Sequence, residues 1–276
     1  MLLSTTTVLE RAEKLVQLGY GAIDVGLTGV IYHDDPLPHN DLLDSEDYEP
    51  ALDAHMEKCR ALGLKIRSTH IPYRFNYADP TIENYDYYYQ MTVRALRASE
   101  YLGAEWAVVH VCEAEATVAY VKRLLADAGV QKIGIAIENL PKYSLAEVIK
   151  AHDLLAQEGY RVGVCLDTGH CNINKFYAYD VAEAVRVLGK RIKMLHVHDN
   201  ARNADSHYAP YMGGTINWKS VMEALADVGY EGDLNFELQP GKIPAEAREE
   251  YEAYCVAIGR YLISIFENRL RENAEK

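Results

Sequence analysis

Ile133-Gly-Ile-Ala-Ile-Glu138-Asn-Leu140, followed at a short interval by Val162-Gly-Val-Cys-Leu-Asp167-Thr-Gly-His170, is the stretch that decides the fold. Each half is a run of β-branched and small apolar residues that stops on a carboxylate. Between them, Leu145 to Gln157 carries apolar residues at helical spacing, and Gly159 follows where a left-handed C-terminal cap belongs. Strand, helix, strand with no room for a hairpin predicts two parallel strands joined by a crossover.

The same unit recurs outward in both directions. Candidate strands run over 1–4, 22–27, 65–71, 106–111, 133–140, 162–167, 192–198 and 234–238. Helical periodicity fills the intervals, as over 7–18, 86–102, 145–157 and 181–188, and a last helix is expected over 245–273. Gly19, Gly63, Gly103 and Gly129 repeat the capping signal of Gly159. Eight strand–helix units predict an α/β chain folded as a (β/α)8 TIM barrel, with a doubly wound open sheet as the competitor. No linker or low-complexity tract divides it, so residues 1–276 are read as one domain.

A parallel barrel opens all its strand C-termini on one face, and this chain places its histidines and carboxylates there. The successive strand ends carry His70, His110, Glu138, Asp167 with His170, His196 with His198 and Asp199, and Glu237; Asp205 and His207 follow in the loop after the seventh strand. A lone histidine at a strand end is usually a hydrogen-bonded structural residue. Carboxylates inside apolar strands are costlier, because a buried ionised group needs a partner. Glu138, Asp167 and Glu237 gathered beside His196 would repel one another without a cation. A divalent ion, Mn²⁺, Co²⁺, Mg²⁺ or Zn²⁺, resolves the conflict.

His70-Ile-Pro-Tyr, Val-Val-His110-Val, Ile-Glu138-Asn, Leu-Asp167-Thr-Gly-His170, His196-Val-His198-Asp199-Asn and Phe-Glu237-Leu, in that order and spacing, resemble the xylose isomerase-like barrels and their sugar phosphate isomerase/epimerase group. The resemblance implies Glu138, Asp167, His196 and Glu237 as metal ligands and His170 as a substrate contact. It also implies a substrate-binding role for Arg202, six residues after His196, with His70 and His110 lining the substrate or serving as further ligands. Endonuclease IV, in the same superfamily, offers a rival match. Its nine zinc ligands find counterparts in His70, His110, Glu138, Asp167, His170, His196, Asp205, His207 and Glu237. His198 and Asp199 are expected to orient the ligands.

The net charge of −13 opposes general affinity for nucleic acid or anionic membrane. No apolar run reaches the ~20 residues of a membrane span, and Met1-Leu-Leu-Ser-Thr-Thr-Thr lacks the pattern of an export signal. Five scattered cysteines without a CxxC pair are expected to be free thiols, which fits a cytoplasmic protein. Tyr73, Phe75 and Tyr77 are candidates for a wall over a sugar, and the tyrosines opening the helix near 85 for packing or a homo-oligomer contact.

The expected activity is a metal-dependent isomerase or epimerase acting on a sugar, sugar phosphate or keto sugar by proton abstraction through an enediolate. Glu138 and Glu237 are its acid and base, and His170 polarises the substrate. The alternatives are a multinuclear zinc phosphoesterase and a dehydratase of a sugar-derived keto compound.

Overall fold

In the computed structural model, residues 1–27, 42–72, 76–174, 180–239 and 243–275 are described. Strands β5 (Gly134–Glu138) and β6 (Val162–Asp167) pair in parallel, with Ile135 opposite Val162 and Glu138 opposite Cys165, and α5 (Leu145–Gln157) forms the crossover. Ile135 and Ile137 are fully buried. Burying such a side chain contributes about 1.5–3 kcal/mol, which is why this apolar run holds as a strand without polar support.

The other strands are β1 (Leu3–Thr7), β2 (Ala22–Gly26), β3 (Lys65–His70), β4 (Trp106–His110), β7 (Ile192–His196) and β8 (Leu234–Phe236). They form one sheet of eight parallel strands in the order β7-β6-β5-β4-β3-β2-β1-β8. Beyond the ends of β7 and β8 the ring is closed by the Val197–Phe236 bridge, where Val197 N–H donates to Asn235 O at 2.8 Å and Glu237 N–H donates to Val197 O at 3.2 Å. That closure and the β1–β8 pairing rule out the open doubly wound sheet.

Two boundaries differ from the sequence expectation. The first strand lies at Leu3–Thr7 rather than 1–4, because the β-branched Thr5 and Thr6 join the ladder and bond across it, Thr5 to Phe236 O and Thr6 to Asp24. The first α-helix, α1, therefore begins at Ala12 after a short 3₁₀ turn. Tyr73 and Phe75 fall outside the described residues.

Side chains alternate along each strand, so Gly134, Ala136 and Glu138 share the face that lines the bore. Below the carboxylates the bore is divided. Val108, Ala136, Cys165 and Met194 make an apolar cluster on the β4–β7 side, whereas Ser4, Asp24, Ser68 and Asn235, all buried, make the β8–β3 side polar. The larger core lies between the sheet and the helices. All five cysteines are buried and free, and among the described residues no helix is long and apolar enough to cross a membrane.

Candidate metal centre

Glu138 ends β5, Asp167 ends β6, His196 ends β7, and Glu237 follows β8. One ligand atom from each lies within 4.8 Å of all the others. Glu138, Asp167 and His196 are at most 1% exposed, so three of the four donors have no solvent to neutralise them.

Two backbone devices set this geometry. The Asn139 side chain bonds both main-chain groups of Asp167, donating to its carbonyl at 3.0 Å and accepting from its N–H at 2.8 Å, which locks the ends of β5 and β6 together. Asp167 then caps the short helix α6 (Thr168–Ile173), its Oδ1 accepting from His170 N–H at 2.6 Å. Gly169 lets the His198 ring pack closely, because a Cβ there would stand 1.8 Å from it and force it to shift. The strings Ile-Glu-Asn and Asp-Thr-Gly-His are thus held by packing around the site.

His196 tests whether the pocket suits a cation. Both its ring nitrogens are buried without a hydrogen bond. Nδ1 faces Glu138 Oε2 at 3.3 Å and Glu237 Oε2 at 3.4 Å, and Nε2 faces Asp24 Oδ2 at 3.5 Å. A nitrogen lone pair directed into a group of carboxylate oxygens is the arrangement a divalent ion stabilises, and the mixed oxygen and nitrogen set fits Mn²⁺, Co²⁺, Mg²⁺ or Zn²⁺. Asp24, midway along β2 and fully buried, escaped the sequence reading. The signal was present, since Ala22-Ile-Asp24-Val-Gly26 is another carboxylate in an apolar strand.

Without a metal, protons take over part of the neutralisation. Burial works against ionised Glu138, yet the charges of His196 and His110 outweigh it and hold the carboxyl well below its usual range. For Glu237 burial prevails, helped by Glu138 and Asp167, and its carboxyl is pushed up. Burial would lower His196, but Cys165, Glu237 and Glu138 raise it well above its ordinary value.

Two further groups adjoin this one. His70 Nε2 and His110 Nε2 lie 3.2 and 3.4 Å from Glu138 Oε2 and 3.2 Å from each other. On the other side His207 Nε2 stands 3.1 Å from Asp205 Oδ2, and His170 Nε2 stands 3.4 Å from the same oxygen. His198 stacks on His207 with ring centres 3.9 Å apart and reaches Asp167 at 3.0 Å through Nε2. His170 also approaches Glu138 Oε1 at 3.2 Å.

Asp199 and Arg202 do not join these groups. Asp199 turns to the loop, taking the Trp218 indole N–H at 2.8 Å and the N–H groups of Asn200 and Thr215 at 2.8 and 3.0 Å. Gly214 makes room for it. Arg202 is exposed, its backbone at φ 63°, and its guanidinium donates to Asn172. Tyr77 donates to His110 O at 2.8 Å, fixing the loop after β4 rather than presenting its hydroxyl to a ligand.

A closed parallel barrel with this residue order defines the class. The chain belongs to the xylose isomerase-like TIM barrel family, whose model matches residues 12–254. It is 28% identical over 131 residues to the uncharacterized protein y4fM of Sinorhizobium fredii, a match that covers 46% of this chain and 41% of that protein. The chain spans less than half the length of the curated relatives it matches. Among solved structures, a D-tagatose 3-epimerase-like protein is similar over 99% of this chain and 100% of its own, with TM-score 0.70 and 18% identity. Endonuclease IV from Thermus thermophilus is similar over 96% of this chain and 99% of its own, with TM-score 0.68 and 20% identity. At such identities these likenesses speak for the fold alone.

Proposed function

We propose that the protein is a divalent-metal-dependent isomerase or epimerase of a small sugar or sugar derivative, working in the cytoplasm. The observation that carries this reading is the convergence of Glu138, Asp167, His196 and Glu237 within 4.8 Å, with the two glutamates arriving from different strands. The fold shared with a D-tagatose 3-epimerase-like protein is one on which such chemistry can be built.

In this reading Glu138, Asp167, His196 and Glu237 would hold a divalent ion, which would supply Lewis acidity toward the substrate carbonyl and so acidify the neighbouring C–H. Glu138 and Glu237, which come from different strands, would face the substrate carbon from two directions. One takes the proton and leaves an enediolate, and the other returns a proton to the same or the adjacent carbon. Glu237, whose side chain is 22% exposed, faces the mouth and exchanges protons with solvent more readily than Glu138 at 1%. His170, whose Nδ1 bonds Asn139 O, would hold a substrate oxygen with Nε2 in place of its present neighbour, Asp205 Oδ2 at 3.4 Å.

A multinuclear phosphoesterase is the second reading, favoured by the His70–His110–Glu138 and His198–Asp205–His207 groups that flank the first. Metal analysis of purified, metal-loaded protein separates the two. One ion per chain is expected for the isomerase, and three per chain would favour the phosphoesterase.

A further inference from the structure

The opposite, N-terminal mouth of the barrel holds a cavity of about 660 Å³ that plays no part in the reading above. Gly134 and Gly163 let two of its lining side chains lie against the sheet, since a Cβ at the first would strike Trp106 and at the second the stem of Lys193. Its rim gathers Arg161, Lys190 and Lys193. Arg67 lies there too, but it is neutralised by Glu105 and Asp233. Arg161 rests over the Trp106 ring at 4.9 Å. Among the described residues neither it nor the two lysines has an ion-pair partner, and apart from the two carboxylates that hold Arg67 only Glu231 of the lining opposes them. A chain of net charge −13 therefore holds an unneutralised cationic pocket of ligand size.

A second observation ties this mouth to the rest of the molecule. Ser4 and Asn235, which line the cavity, begin a chain of polar contacts that is buried except at the half-buried Thr6: Ser4 Oγ donates to Asn235 Oδ1 at 2.9 Å, Asn235 Nδ2 donates to Thr6 Oγ1 at 2.9 Å, and Thr6 Oγ1 donates to Asp24 Oδ2 at 3.0 Å. Asp24 Oδ2 then faces His196. Hydrogen bonds thus link the rear cavity to Asp24, and the last step to His196 is a 3.5 Å approach without a hydrogen bond. Hydrogen bonds in such a chain polarise one another, and the unpaired Asp24 Oδ1 at its end leaves the network partly satisfied.

We propose that the N-terminal mouth is a second ligand site, for a small tetrahedral dianion such as a phosphate group, and that its occupancy is transmitted through Asn235, Thr6 and Asp24 to His196. The binding half is independent of the proposed function, whereas the transmission rests on it. Three cations converging on one opening match two negative charges, and Trp106 with Met194 gives the floor an apolar face for whatever carries the anionic group.

Trp106 is also the reporter, because the only other tryptophan, Trp218, is 1% exposed on a different element. Metal-free protein titrated with sodium sulfate, against sodium chloride at equal ionic strength, is expected to show a saturable change in tryptophan fluorescence that disappears in Trp106→Phe. In the double variant Lys190→Gln, Lys193→Gln the binding weakens by about tenfold or more, and in Glu231→Gln it tightens. A linear response, or one that none of these charge changes moves, overturns the site. With Co²⁺ loaded, sulfate is expected to shift Co²⁺ affinity and its visible spectrum in the wild type but not in the double lysine variant. Sulfate binding that leaves both unchanged overturns the transmission.

Discussion

Asp24 Oδ2 lies 3.5 Å from Nε2 of His196, inside a barrel where both residues are fully buried. With Nε2 turned to Asp24, Nδ1 of the same ring faces Glu138 and Glu237. Thr6 Oγ1 donates to the same Asp24 oxygen at 3.0 Å. A carboxylate behind a ligating histidine selects the tautomer and raises the basicity of the nitrogen that binds.

Asp24→Ala should therefore weaken divalent-metal binding by roughly 10–100-fold, as read by calorimetric titration of metal-free protein. Circular dichroism should still report the barrel. Wild-type affinity in a folded Asp24→Ala protein would mean that His196 is oriented by something else.

Glu138→Gln and Glu237→Gln should each lower turnover by a factor of roughly 100 to 10,000, the usual share of a general acid or base. Because Glu138 is 1% exposed and Glu237 22%, metal affinity should suffer more at position 138. Steady-state rates and metal titrations on both variants check this. More than about a tenth of wild-type activity in both would contradict the assignment.

Gly169→Ala should cost about 1–3 kcal/mol of stability, the usual penalty for forcing a methyl group into a packed site. The reason is local: the added Cβ meets the His198 ring, which leans on Asp167 and stacks on His207. Denaturant midpoints measure the loss. A variant as stable as wild type would show that His198 can move aside freely.

Much of this was legible in the residues themselves. The runs ending at Glu138 and Asp167 are buried on both faces, so their apolar character announced parallel strands and their terminal carboxylates announced the site. The first strand was misplaced because Leu2 and Leu3 carry the apolar signal, whereas the ladder continues through Thr5 to Thr7. Asp24 was passed over because it lies midway along β2, while its role depends on where β7 sits across the bore. Asp199 looked like part of the site by adjacency to His198, but the peptide after His198 turns it toward Trp218. Spacing along the chain identifies what arrives at a strand end; it does not say which way a loop residue turns.

DNA containing abasic sites should not be nicked at a useful rate. The net charge is −13, and the three unneutralised cations found in one cavity lie at the mouth opposite the candidate metal centre, where they cannot guide a phosphate backbone to it. Incubation of metal-loaded protein with such a duplex, followed by denaturing gel electrophoresis, checks this. Efficient metal-dependent cleavage would move the reading to the phosphoesterase.

The most direct measurement is solvent proton exchange, which isomerisation and epimerisation require and phosphoester hydrolysis lacks. Metal-loaded protein is incubated in heavy water with a panel of free and phosphorylated ketoses and keto sugar acids, and NMR follows the hydrogen beside the carbonyl. The account predicts deuterium at that carbon for at least one member of the panel. The label should depend on the metal, be lost in Glu138→Gln and Glu237→Gln, and be reduced in His170→Ala, where a polarising contact goes but the base stays. No incorporation into any member, from protein shown to be folded and metal-loaded, would contradict the enediolate chemistry at the centre of the account.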